Sequence, residues 1–206
     1  MTVDASFLTI GLELAERALM DLMARDNLHL RPAQMPRTRR ARANGRMKQI
    51  EQIVRRLIAL MALGLHIVFA PPKPRAPAPG LPEGVELAVF PGAAEHAFTL
   101  LPRAACGFLC GEDADTFGTS CGPPGPVPTA RLLARIRAVY RVLKSPDAAA
   151  RRLARSLQRL KSRGGPGPMT GPAPDAFRLG PELGALATAL PGLLNARLTA
   201  AWDDSS

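Results

Sequence analysis

The sequence predicts a mainly α-helical chain, with an N-terminal pair of amphipathic helices, a basic helical hairpin and a C-terminal helical block. Pro/Gly-rich linkers separate these parts, with room for a short β-hairpin in the middle. Three observations carry this prediction. Apolar residues recur at steps of three and four along several stretches, the spacing of one helix face. The 21 Pro and 18 Gly are clustered, marking breaks between ordered blocks. With one Trp and one Tyr, a core must be built from Leu and Ala, and few runs alternate as half-buried strands do.

The first helix carries Leu8, Leu12, Ala15, Leu19 and Leu22 on one stripe, with Asp4 or Ser6 placed to cap it. Glu13, Arg17, Asp21 and Arg25 alternate in sign on the other side, which suits a solvated face. Residues 31–46 combine Pro32, Pro36, Asn44 and Gly45 with Arg37, Arg39, Arg40, Arg42 and Arg46, so like-charge repulsion and chain breakers disfavour helix there. A second helix is expected from Gly45 or Arg46, with Met47, Ile50, Val54, Leu57, Ile58, Met61 and Leu65 on its apolar face and Lys48, Gln52, Arg55 and Arg56 on the other. Its polar face then vanishes: LIALMALGLHIVFA, 57–70, holds a single His. That run is short of the ~20 apolar residues a spanning helix needs, so a core helix is the first expectation and membrane contact the second.

PPKPRAPAPGLP, at 71–82, reads as a stiff extended linker. Beyond it, Val85–Phe90 and Ala97–Leu101 would form the β-hairpin around Pro91-Gly92, and 102–128 reads as Cys-, Gly- and Pro-rich loop. The basic hairpin spans 129–163. Leu132, Leu133, Ile136, Val139, Tyr140 and Leu143 line its first arm. Ser145-Pro146-Asp147 then supplies an N-cap, a proline at the first helical position and an acid in the first turn. Ala149, Leu153, Leu157 and Leu160 face inward on the second arm. GGPGPMTGPAP breaks the chain again, and Leu183, Leu186, Leu190, Leu194 and Leu198 stripe a last helix that Pro191-Gly192 is expected to break or kink. The expected division is a helical module at 1–70, an irregular segment at 71–128, the hairpin at 129–163, a flexible linker at 164–178 and the C-terminal helix at 179–206.

Charge position says more than the net +10. Residues 31–56 hold nine basic residues and one acid, and 129–163 hold eleven and one, in a chain otherwise mildly acidic. Two basic segments of this kind point to an anionic partner. The expected polyanion contacts are Arg39, Arg40 and Arg42 in the first segment, and Arg131, Arg135, Arg141, Arg151, Arg152, Arg155, Arg159 and Arg163 in the second. Arg outnumbers Lys, and with the Ala and Pro usage this fits a GC-rich bacterial genome, which accounts for part of the preference. A solvated face would explain the charge too, but solubility alone is served by mixed signs, as in the first helix.

Other chemistry finds little support. Cys106, Cys110, Cys121 and His96 would fill a tetrahedral zinc shell, yet the Cys-x3-Cys-x10-Cys spacing lacks the CxxC knuckle of structural zinc sites. Gly118-Thr119-Ser120-Cys121-Gly122 matches G-x-S-x-G, but prolines stand where the following helix belongs. Asp113-Ala114-Asp115 opens like a calcium loop, and Phe117 then occupies a ligand position. No phosphate loop, Rossmann fingerprint or HExxH is present. The expectation is therefore a non-enzymatic protein without a cofactor, binding a polyanion, nucleic acid or an acidic protein, with nucleic acid favoured and no strong sequence specificity. The alternatives are a peripheral membrane or scaffolding component using 57–70, a homo-oligomer formed through the apolar stripes, and a metal protein built on the cysteines. The opening residues lack a secretory signal and the three cysteines are an odd number, so the expected compartment is the cytoplasm, with membrane association as the alternative.

Overall fold

The computed structural model describes residues 5–65, 98, 125–164, 167–172 and 179–203. Within them the chain forms α1 (Ala5–Arg25), β1 (Gln34–Met35), α2 (Arg37–Leu63), β2 (Val127–Pro128), α3 (Ala130–Lys144), α4 (Pro146–Ser162) and α5 (Pro181–Asp203). The mainly α prediction holds, with a minimal two-stranded antiparallel ladder pairing Gln34 with Pro128 and Met35 with Val127. The β-hairpin expected at 85–101 lies outside the described residues, apart from Phe98.

The longest helix, α2, is the hub, with α1, α4 and α5 each packed against it. Its residues explain why. Ala43, Met47, Ile50, Val54, Ile58 and Ala62 enter one apolar cluster with residues of α1, α3 and α4. Ile53, Leu57 and Leu60 enter a second with Leu183, Leu186, Leu190, Leu194 and Leu198 of α5. A helix buried on two sides is apolar most of the way round, which accounts for the missing polar face after Leu57. Leu57, Ile58, Leu60 and Ala62 are thus spent on the core, and Gly64 follows as the C-cap. Among the described residues no helix is long and apolar enough to cross a membrane.

Two expectations about helix limits are corrected. The second helix starts at Arg37 rather than at Gly45 or Arg46, because Ala43 and Met47, both 0 % exposed, draw the arginine-rich stretch into the helix. Burial on that scale exceeds the ~1 kcal/mol penalty of a helical glycine such as Gly45. At the other end of the chain α5 runs through Pro191 without interruption. Proline there removes one internal hydrogen bond, and Leu190 and Leu194, buried on either side of it, hold the helix together. Ser6 lies inside α1 rather than before it, and Asp4 is outside the described residues. Ser145 does stand between α3 and α4, as the C-cap of one and the N-cap of the other, but its side chain makes no capping bond.

Close approach between helices depends on one glycine. A Cβ on Gly11 of α1 would meet Leu57 of α2 at 2.8 Å and Leu186 of α5 at 3.5 Å, so three helices converge there on a bare backbone. Residues 167–172 are also tied to the helices. Thr170 N–H and hydroxyl both donate to Asn195 Oδ1, at 2.9 and 2.8 Å, while Asn195 Nδ2 donates to the Thr170 carbonyl at 2.9 Å. Gly167 lies against the Trp202 indole, close enough that a Cβ would sit 3.2 Å from the ring. Arg56 Nη2 donates to the Gly171 carbonyl at 2.6 Å and the Pro172 carbonyl at 3.3 Å. Arg56 is thus buried, not on the solvated face assigned to it, and its burial draws the guanidinium below the usual arginine range.

Candidate polyanion interface

The ladder that joins the two basic segments is short but well tied. Thr129, 1 % exposed, donates its backbone N–H to the Ala33 carbonyl at 3.1 Å, and its hydroxyl to the carbonyls of Pro32 and Ala33. Each strand runs directly into a helix, β1 into α2 and β2 into α3. The antiparallel pairing sends α2 and α3 off from opposite ends of this two-residue ladder, so the start of α2, with Arg37, Arg39 and Arg40, and the start of α3, with Arg131, are kept a short distance apart. At ~3.4 Å per strand residue the two starts lie roughly 20 Å apart at most. In sequence they are 93 positions apart, Arg37 against Ala130.

Neither first turn contains an acid. Carboxylates are the residues that stabilise the positive end of a helix macrodipole, and cations there cost a few tenths of a kcal/mol each. The start of α2 is the wrong sign for its own stability, and an anion docked against it would reverse that. Arg39 and Arg42 are exposed and Arg40 half-buried. None of the three has an ion-pair partner among the described residues.

The second arginine surface is the outer face of α4. Ala149, Ala150, Leu153, Ala154 and Leu157 are buried, which leaves Arg151, Arg152, Arg155, Arg159 and Arg163 exposed. The helix is locally self-consistent, since Pro146 and Asp147 suit its first turn and Arg159 and Lys161 its last. The face is fixed by neighbours along the helix: Arg155 Nε donates to the Arg151 carbonyl at 3.2 Å and Ser156 Oγ to the Arg152 carbonyl at 3.1 Å. Among the described residues no carboxylate pairs with Arg151, Arg152, Arg155, Arg159 or Arg163. On α3, Arg131 and Arg141 are exposed as expected. Lys144 is exposed but engaged, donating to Glu16 Oε1 at 2.7 Å, and that carboxylate raises its pKa above the usual lysine value.

Arg135 is the exception, and its placement corrects the sequence reading. It is buried, and its Nε and Nη2 donate to the two carboxylate oxygens of Glu51 at 2.9 and 3.0 Å. This two-pronged geometry is the strong form of an arginine–carboxylate pair. Arg55 completes the cluster, with its Nη2 3.4 Å from Glu51 Oε2 and its guanidinium carbon 4.7 Å from the Phe98 ring centre. Glu51 is the sole acid of residues 31–56. The first basic segment thus spends its one acid on the one buried arginine of the second, so that the pair staples α2 to α3. A signal for this was present in the sequence: Arg135 stands three residues after Leu132 and four before Val139, on the edge of the apolar stripe.

Cys106, Cys110, Cys121 and His96 lie outside the described residues. Among the described residues, no cluster of His, Cys, Asp and Glu is able to hold a metal ion. Compared with protein-family models, curated proteins and solved structures, the chain matches none.

Proposed function

We propose that this chain is a non-enzymatic binding protein whose arginine-rich helical surfaces engage a polyanion, namely nucleic acid without strong sequence specificity. The observation that carries the reading is the exposed outer face of α4, where Asp147 in the first turn is the helix's one acid and the arginines have no carboxylate partner among the described residues. The helix starts joined by the β1–β2 ladder support it, because Arg39, Arg42 and Arg131 are exposed there beside two positive helix ends. Contacts of this kind read phosphate position rather than base sequence. The compartment expected for such a protein is the cytoplasm.

The test is fluorescence anisotropy of a labelled nonspecific duplex of about 20 base pairs, titrated with protein at several salt concentrations; the log–log slope should approach −0.9 per phosphate contacted. Replacing Arg151, Arg152, Arg155 and Arg159 together with Gln should weaken binding and flatten that slope by roughly 3 to 4. Helicity by circular dichroism should not change, since all four side chains are exposed. Unchanged affinity and slope in the variant, or absence of binding at low salt, would overturn the reading.

A further inference from the structure

Between α1, α2 and the start of α5 lies an open cavity of about 320 Å³, away from the outer face of α4. Its apolar lining includes Leu14, Ile50 and Leu183, of which Ile50 is 2 % and Leu183 8 % exposed, the buried part of the site. Its lining includes three arginines, Arg17 and Arg25 from α1 and Arg46 from α2. Asp21 and Glu182 line it as well. Arg17, Asp21 and Arg25 follow one another at four-residue steps, the spacing at which helix ion pairs close. They do not close here: among the described residues, none of these five charged groups has an ion-pair partner. Three arginines therefore line one cavity together with apolar residues, with no ion pair to the carboxylates that line it among the described residues. The first turn of α5, opened by Gly180 and Pro181, adds its positive end to the same rim.

We propose that this cavity is a binding site for a small amphipathic anion, with a phosphate or carboxylate head held by Arg17, Arg25 and Arg46 and a short apolar body against the apolar lining. The charge balance selects for a single head. Three guanidinium groups against two carboxylates leave one net positive charge, enough for one anionic group, while Asp21 and Glu182 repel the next phosphate of a chain. Arginine suits either head, because its planar fork matches carboxylate and phosphate oxygens alike. The size selects for a small body. The cavity is at the small end of the ~300–1,000 Å³ range of ligand sites. At ~30 Å³ for each water displaced, it has room for about ten heavy atoms. The site is independent of the polyanion surface, since it uses none of the arginines assigned there.

Isothermal titration calorimetry on the full chain tests this, with hexyl phosphate, hexanoate, inorganic phosphate and hexanol as probes. At least one of the two headed hexyl probes should bind about tenfold or more tightly than inorganic phosphate, because the apolar lining removes apolar surface from water. The tighter of hexyl phosphate and hexanoate identifies the head, and hexanol should show no binding. Arg17→Gln and Arg46→Gln should each weaken the preferred probe by about tenfold or more, the effect of losing a charge-assisted hydrogen bond. The variant with Gln at positions 151, 152, 155 and 159 should bind it as well as the unaltered chain, which separates this site from the polyanion surface. The proposal is overturned if neither headed probe binds. It is also overturned if inorganic phosphate binds as tightly as both, if the arginine variants keep full affinity with unchanged circular dichroism, or if the α4 variant loses the probe instead.

Discussion

Removing the carboxylate of Glu51 should be the most damaging single deletion of charge in this protein. Its oxygens accept from Arg135 at 2.9 and 3.0 Å, and the two side chains are 5 % and 11 % exposed. In Glu51→Ala the Arg135 guanidinium stays buried between α2 and α3 with no carboxylate. An orphaned buried charge costs about 3–5 kcal/mol. At a urea sensitivity of ~2 kcal/mol per molar, the unfolding midpoint should fall by roughly 1.5–2.5 M. Arg135→Met should cost less, because Glu51 keeps Arg55 at 3.4 Å as a charged partner. Glu51→Leu combined with Arg135→Met removes both charges and should recover stability to within about 1 kcal/mol of the unaltered chain, as apolar replacements of buried pairs do. The assay is urea unfolding followed by far-UV circular dichroism on these proteins and on Glu51→Leu alone, which closes the double-mutant cycle with Arg135→Met. A loss below about 1 kcal/mol in Glu51→Ala would refute the reasoning, as would additive losses in the double variant. The double variant should also keep the polyanion binding proposed above, since Arg135 is buried.

Further consequences follow from the packing. Gly11→Leu should destabilise the fold by about 1–3 kcal/mol or more, because a side chain there is forced into Leu57 and Leu186 where three helices converge; thermal melting checks it, and an unchanged midpoint would mean the helices do not meet as closely as described. Asn195→Ala removes all three bonds to Thr170 and should cost about 1–2 kcal/mol. It should also speed limited trypsin cleavage at Arg163 relative to the unaltered chain, and equal cleavage rates would show that the Asn195–Thr170 bonds do not hold residues 167–172.

What the sequence determined by itself is local. Apolar spacing identified the stripes of α1, α3, α4 and α5, because a 3.6-residue period is written in consecutive side chains whatever lies opposite. Leu132, Ile136 and Val139 are buried as their spacing requires, and so are Leu183, Leu186, Leu190, Leu194 and Leu198. Pro146 and Asp147 marked the start of α4 for the same local reason. The tertiary structure decided what depends on neighbours distant in sequence. Charge repulsion and Gly45 argued against helix at 37–46, and the burial of Ala43 and Met47 against other helices outweighed them. Spacing assigned Arg135 and Arg56 to outer faces because it shows where a residue points, not how wide the buried arc is. Glu51 and the carbonyls of Gly171 and Pro172, brought opposite them by folding, make their burial tolerable. The arginines of the candidate interface were legible as two basic segments. That their helix starts are joined by a ladder, and that the acid among them is consumed in the Glu51–Arg135 staple, follows from hydrogen bonds and an ion pair spanning more than eighty residues, which no local pattern encodes.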